Sequence, residues 1–288
     1  MRVQTVLLIF SSFWRCNTQE NSSTRDKIAG VDAVYVINLD RRTDRLEEFY
    51  SRYPFSDQTV TRIAAVDGRE LDGRDSRLGL FAVNKWGTTE WPIGLVGATL
   101  SHYEVWKRVV QNKTIDRALV FEDDVRFSKS FITKWHMHIS PRLQTSRFDV
   151  LYIGGRRKQG CIRHREGLSY NQSSFIRPVR GALCELSCHA YIVSSVGAAK
   201  LLQWAEYPKG GVDRSIDCWI LDAVPLLDIW AAWDLVCHSI PSARIGTDEA
   251  SVTDIDTPEI IDVVTGRRRM RPSIDSDTRD GHSSKPEL

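Results

Sequence analysis

The chain has 288 residues, 42% apolar and 26% charged, with 39 Lys and Arg against 37 Asp and Glu. That apolar share supplies a core and excludes collagen-like, low-complexity and wholly disordered chains. A net charge of +2 gives no concentrated basic field, so nucleic acid is not an expected partner, although a local arginine cluster can still hold an acidic substrate. The length permits one large α/β domain or two small ones, and one is the simpler expectation.

Met1-Arg2 precedes an apolar run from Val6 to Trp14, the pattern of a secretory signal, and residues 1–18 are expected to be a signal peptide. No small-x-small cleavage site follows, and a frayed N-terminal strand is the competing reading. The run falls short of the roughly 20 apolar residues a bilayer span needs, so no stable membrane span is expected. Sequons at Asn21, Asn112 and Asn171 lean toward the secretory pathway with little weight, because such triplets arise by chance. Of six cysteines, Cys184 and Cys188 with His189 could be imagined around zinc. No second Cys pair stands at finger spacing, which favours buried thiols or partial disulfide pairing.

Between residues 31 and 245 apolar runs alternate with amphipathic stretches, as in an α/β domain. Val34–Ile37 reads as a strand, Asp44–Tyr50 as a helix and Ile63–Val66 as a second strand closing in the Asp67-Gly68 turn. Leu100, Tyr103, Trp106 and Val110 recur at helical spacing over 99–111. Strands follow at Ala118–Phe121, Val150–Ile153 and Ala190–Val193, the last leading into a helix capped by Ser195 and running through Trp204. The expected domain spans 31–262. Apolar periodicity ends after Val264, so 265–288, including the Arg267–Arg271 run, is expected to be a disordered, solvated tail. The chain ends Lys285-Pro286-Glu287-Leu288, one substitution from the Lys-Asp-Glu-Leu retention signal. Either that degenerate signal, placing the protein in the endoplasmic reticulum lumen, or a chance terminus fits.

The most informative residues are Glu122-Asp123-Asp124 at the end of an apolar strand. Adjacent carboxylates repel, and a hard divalent cation such as Mn²⁺ or Mg²⁺ offsets that repulsion. In open α/β sheets ligands bind beyond the carboxyl ends of strands. The Glu122-x-Asp124 spacing turns both side chains to one side of an extended segment, which suits a metal bridging a nucleotide diphosphate. A solvated acidic turn is the competing reading of the triplet alone. Arg41, Arg42 and Arg45, beside Asn38 at the first strand end, suit phosphate oxygens or form an exposed basic helix start.

In order along the chain, VYVINLDRRTDR (34–45), AAVDG (64–68), GLVGATLSHYEVWK (94–107), ALVFEDDVRF (118–127), FDVLYIGGR (148–156) and AYIVSSVGAAKLL (190–202) resemble glycosyltransferase family 25. The likeness is greatest to its procollagen galactosyltransferase and cerebral endothelial cell adhesion molecule branch. The resemblance implies a GT-A type nucleotide-sugar-binding fold with a mixed central sheet flanked by helices. It also implies Mn²⁺-dependent transfer from a UDP-sugar, with galactose the expected hexose. Asn38, Asp40, Arg41 and Asp67 are then expected at the donor nucleotide, and Glu122, Asp123 and Asp124 at the metal. Ser101 and His102 match a Ser-His block whose role the sequence does not assign. Gly211-Val212-Asp213-Arg214 stands where the family has Pro-Val-Asp-Glu, making Asp213 the candidate general base and Asp217 its reserve.

The chain has room for one such module where collagen-type members carry two. Pro241–Glu249 keeps Gly246 and Asp248 of a family block but loses its histidine, for which His238 or a water would substitute. The expected partners are a UDP-sugar and a protein or glycan acceptor, with hydroxylysine of collagen-like protein as the specific candidate. The competing reading is a catalytically inactive homologue acting as a binding or adhesion module. A bare nucleotide-binding or nucleic-acid protein fits less well, because the chain lacks a phosphate-cradling Gly loop and a basic face.

Overall fold

The structure, a computed structural model, describes residues 28–55, 59–154, 176–179, 188–206, 211–223, 226–237 and 259–270. The expected signal peptide, Asn21, Asn171, Cys16, Cys161, Cys184, His238, Gly246, Asp248 and the C-terminal tetrapeptide lie outside the described residues. The strands are β1 (Ala33–Asn38), β2 (Thr61–Ala64), β3 (Glu90–Pro92), β4 (Arg117–Glu122), β5 (Arg126–Phe127) and β6 (Val150–Gly154). They continue with β7 (Ile176–Pro178), β8 (Ala190–Ser194), β9 (Ile229–Cys237), β10 (Glu259–Asp262) and β11 (Arg268–Met270). The helices are α1 (Thr43–Arg52), α2 (Ile93–Gln111), α3 (Phe131–Lys134), α4 (Ser140–Thr145), α5 (Ser195–Ala205) and α6 (Ile216–Asp222).

The main sheet is mixed, in the order β2-β1-β4-β8-β6-β9-β5, with β7 paired to β9. Its inner strands are near-continuous apolar runs because both faces are covered, and period-2 alternation divides each strand between two cores. Val34, Val36, Leu119, Phe121 and Ile192 pack with Phe49 of α1 and with Phe131, Trp135 and Leu143 of the 131–145 helical stretch. Tyr35, Ile37, Val120, Tyr152 and Tyr191 pack with Leu100 and Trp106 of α2, Leu201 of α5 and Trp219 of α6. The chain is thus α/β, with a mixed central sheet flanked by helices.

Strand direction decides where the chemistry gathers. β1 pairs in parallel with both β2 and β4, so Asn38, Ala64 and Glu122 finish at one edge of the sheet. β8 runs antiparallel to β4, so its beginning lies at that same edge. The Glu122 amide donates to the carbonyl of His189 at 2.9 Å, which sets the two residues side by side.

Three local expectations shift. The second strand is Thr61–Ala64, so Ala65–Asp67 leave the sheet as a loop. α2 begins at Ile93, six residues before the periodic stretch, and eleven of its residues are buried, giving a core helix with no polar face to mark its start. The cap of α5 is Ser194, whose hydroxyl accepts from the Gly197 amide at 2.9 Å.

The expected onset of disorder at 265 is also corrected. β11 lies beside β10, which in turn pairs with β3 in a small three-stranded sheet. Polar ties hold this strand. The Arg269 Nε donates to Glu90 Oε1 at 2.8 Å, and the Arg268 guanidinium donates to the carbonyls of Arg69 (2.6 Å), Gly68 (3.2 Å) and Leu71. Residues 271–288 lie outside the described residues.

Candidate functional site

The alternation of β4 continues into the acidic triplet. Val120 faces α2, and Glu122 follows on that side to meet His102; Phe121 faces α1, and Asp123 follows on that side to meet Arg45. Glu122 and Asp124 converge with His189: each offers a ligand atom, and the three lie within 4.8 Å of one another. The His189 ring spans the carboxylates, with Nδ1 3.7 Å from Glu122 Oε2 and Nε2 3.7 Å from Asp124 Oδ1. Two carboxylate oxygens and one imidazole nitrogen fit a divalent cation of the Mn²⁺ kind, with the rest of its shell left for phosphate or water oxygens. Asp123 stands apart from this group. It accepts from Asn38 Nδ2 at 2.7 Å and lies 3.4 Å from an Arg45 nitrogen; burial pushes its carboxyl up to about 6, against the opposing pull of Asn38 and Arg45.

His189 is the residue that sequence reading failed to place here. It entered only as a partner for Cys184 and Cys188 around zinc. In the structure Cys188 is a buried free thiol, and His189 pairs with acids that are remote in sequence.

Asn38 organises the neighbouring crevice. One amide proton goes to Asp123, the other to the Arg42 carbonyl at 2.8 Å, and Oδ1 accepts from Arg62 Nε at 2.9 Å. With these three bonds and 2% exposure, it holds the crevice together from within. Arg62, which the sequence reading did not single out, also ion-pairs with Asp40. Arg41 donates to Asp67 at 2.7 Å, so two expected donor-binding residues from separate strand ends meet. Arg42 turns to Asp44 at 2.9 Å, and Arg45 reaches Asp123.

The Asp67 loop is held from two sides. Ser101 Oγ accepts from the Val66 amide at 2.8 Å and donates to the Gly97 carbonyl at 2.7 Å, giving the Ser-His block a positioning role at its first residue. From the other side Arg268 gathers the carbonyls of Gly68, Arg69 and Leu71. Arg268→Ala is expected to release this loop and to speed hydrogen exchange of its amides by roughly tenfold, since charge-assisted bonds contribute about 1.5–3 kcal/mol each and water replaces part of that. Hydrogen-exchange mass spectrometry over residues 66–72 checks it.

The two candidate bases differ. Both oxygens of Asp213 are engaged by Arg214, at 2.9 Å each, and Arg214 also holds Asp222 at 2.6 Å. Asp217, at the start of α6, accepts from the Cys218 amide at 2.9 Å. Burial, and then the charge of Asp217, push the Cys188 thiol up, so Asp217 acts on the residue next to His189. A cavity of about 460 Å³ adjoins the Asp213 segment, lined by Arg77, Phe81, Tyr103, Glu206 and Gly211, and none of Glu122, Asp124 and His189 lines it. Among the described residues no helix is long and apolar enough to cross a membrane.

The class defined by this fold and site is an α/β protein whose parallel strand β4 ends in two carboxylates that, with the imidazole just before antiparallel β8, form a cluster able to hold a cation. A family model described as glycosyltransferase family 25 (LPS biosynthesis protein) matches residues 31–216, more than half of the chain, and the chain belongs to that family. Human procollagen galactosyltransferase 2 is 29% identical over 182 residues, covering 60% of this chain and 28% of the relative. A glycosyltransferase 25 family member of Aedes aegypti is 30% identical over 142 residues, covering 47% and 23%. A Bos taurus protein named "Probable inactive glycosyltransferase 25 family member 3" is 30% identical over 190 residues, covering 60% and 29%. The chain therefore spans less than a third of the length of these relatives.

Proposed function

We propose that this protein transfers a hexose from a UDP-sugar to a hydroxyl of a protein or glycan acceptor, with inversion at the anomeric carbon and dependence on Mn²⁺ or Mg²⁺. The observation that carries the reading is the meeting of Glu122, Asp124 and His189 beside the Asn38–Arg45 crevice at one sheet edge. A cation held by those three residues supplies Lewis-acid stabilisation of the charge that develops on the departing diphosphate. Asn38 and Arg62 fix the crevice wall, and the Arg41–Asp67 pair borders the nucleotide. The name of the human relative supports galactose as the sugar and procollagen as the acceptor class. The proposed place of work is the endoplasmic reticulum lumen, for which the Asn112 sequon, exposed at the end of α2, offers a glycosylation acceptor.

In the transfer the acceptor oxygen forms a bond to the anomeric carbon as the sugar–phosphate bond breaks and UDP departs. The acceptor proton passes to a carboxylate on the face opposite the leaving group. Asp217 is the better-disposed base, because Asp213 is clasped by Arg214 on both oxygens. Asp217→Asn is expected to lower kcat by about 10²–10⁴-fold, the range for loss of a general base, with Asp213→Asn costing less. The reverse ranking would restore Asp213 to that role.

UDP release from a panel of UDP-sugars, measured with and without Mn²⁺, tests the function as a whole. Mn²⁺-dependent release with one or two donors is expected, enhanced by hydroxylysine-bearing collagen peptides. The bovine relative's name keeps an inactive binding module as the alternative. No turnover of any donor, together with no Mn²⁺-dependent UDP binding, would overturn the enzyme reading in its favour.

A further inference from the structure

We propose that His102 is a positioning residue that fixes the Glu122 carboxylate for cation binding, at the end of a buried donor chain that starts at Trp106. The proposal rests on the reading of Glu122 as a cation ligand and extends it inward to three residues that touch neither cation nor substrate.

The indole Nε1 of Trp106 donates to the Tyr191 hydroxyl oxygen at 3.1 Å. That hydroxyl lies 3.0 Å from His102 Nδ1, and His102 Nε2 lies 3.2 Å from Glu122 Oε1. An indole N–H can only donate, and a carboxylate can only accept. With the tyrosine oxygen accepting from Trp106, its proton goes to Nδ1, which leaves the imidazole proton on Nε2, aimed at Glu122. The reverse tautomer sets a ring lone pair against a carboxylate oxygen and leaves the tyrosine proton without an acceptor. The chain Trp106 → Tyr191 → His102 → Glu122 is therefore satisfied in one direction.

Every anchor is rigid. Trp106 and His102 are each 1% exposed on α2, and Tyr191 is fully buried in β8. Glutamate has three side-chain torsions, and a strand-end glutamate left alone samples several orientations. Pinning Oε1 by His102 presents Oε2 to the His189 side, where it lies 3.7 Å from Nδ1. Partners of this kind outside the ligand set orient a ligand, and their loss costs about 10–100-fold in metal affinity.

The test is Mn²⁺ binding to the full chain, by calorimetry and by the electron paramagnetic resonance signal of bound Mn²⁺, with thermal unfolding recorded in parallel. Wild type is expected to bind one ion. His102→Leu should weaken binding about 10–100-fold, whereas His102→Gln, whose amide N–H reaches toward Glu122 as Nε2–H does, should recover most of the affinity. Tyr191→Phe removes the donor that sets the tautomer while preserving ring packing; it should weaken binding by a smaller factor, and it carries the test if His102→Leu does not fold. Wild-type affinity in both His102→Leu and Tyr191→Phe would overturn the positioning role and leave the cation site standing. Equal losses in His102→Leu and His102→Gln would show that packing rather than the donor matters, which also overturns it. Failure of wild type itself to bind Mn²⁺ would instead remove the cation reading, and the proposal with it.

Discussion

Asn in place of Asp124 should lower sugar transfer by about 10²–10³-fold and weaken Mn²⁺ binding in parallel, with little change in thermal stability. The magnitude follows from removing a formal charge from a group whose proposed role is to hold a cation against developing diphosphate charge, about 3–4 kcal/mol of differential stabilisation. Asp124, Glu122 and His189 lie within one cation's reach, and His189 faces Asp124 through Nε2. The folded state loses little, since bringing carboxylates together without a cation is repulsive. His189→Ala should reproduce the binding defect. Metal titration and initial rates measured on the same preparations check both effects, and full activity in Asp124→Asn would exclude that residue from the cation site.

The second large effect concerns stability. Gly97→Ala should destabilise the protein by about 2–3 kcal/mol and lower Tm by roughly 5–10 °C, through overpacking that the neighbours cannot relieve. A Cβ built at Gly97 lies 2.5 Å from the Val66 carbonyl oxygen and 2.8 Å from the Gly68 amide nitrogen, both backbone atoms. On the facing loop, a Cβ at Gly68 would lie 2.0 Å from the Ile93 carbonyl oxygen. The start of α2 and the 66–68 loop can approach this closely only with glycine on both surfaces. The same contact lets Ser101 capture the Val66 amide, so Gly97→Ala should also displace Asp67 and, on the proposed function, weaken donor binding. Gly79 is the control: nothing lies within 4 Å of a Cβ there, and Gly79→Ala should leave Tm nearly unchanged. Differential scanning calorimetry of the two variants checks the contrast.

Much of the site was legible because one rule carried over from the strands. Residues alternate across a sheet, and alternation running past Phe121 separates Glu122 and Asp124 from Asp123, as the spacing suggested. Asn38 stands at the end of β1, where its apolar run stops, whereas Asp67 lies in the loop beyond β2 and its expected place came from the family resemblance alone. His189 was not, since what brings it to Glu122 is the antiparallel pairing of β8 with β4, a contact remote in sequence. Arg62 escaped notice because the second strand starts two residues earlier than its apolar residues indicate, on a half-exposed edge. β11 was read as tail because its strand bears arginines and is held by Arg268 bonding to carbonyls and by the Arg269–Glu90 pair, neither of which leaves apolar periodicity. The beginning of α2 leaves no amphipathic signal because its first turns, Ile93–Leu100, carry only apolar and small residues, and the charged residues that mark a solvent face start at Glu104.

The central claim is that the acidic strand end is a cation site serving a nucleotide-sugar donor. Its most direct test is UDP binding to the full chain, measured calorimetrically in Mn²⁺ and again in excess chelator, for wild type and Asp124→Asn. Tight one-to-one binding in Mn²⁺ that disappears with chelator and with the substitution is the predicted result; UDP affinity indifferent to both would contradict it.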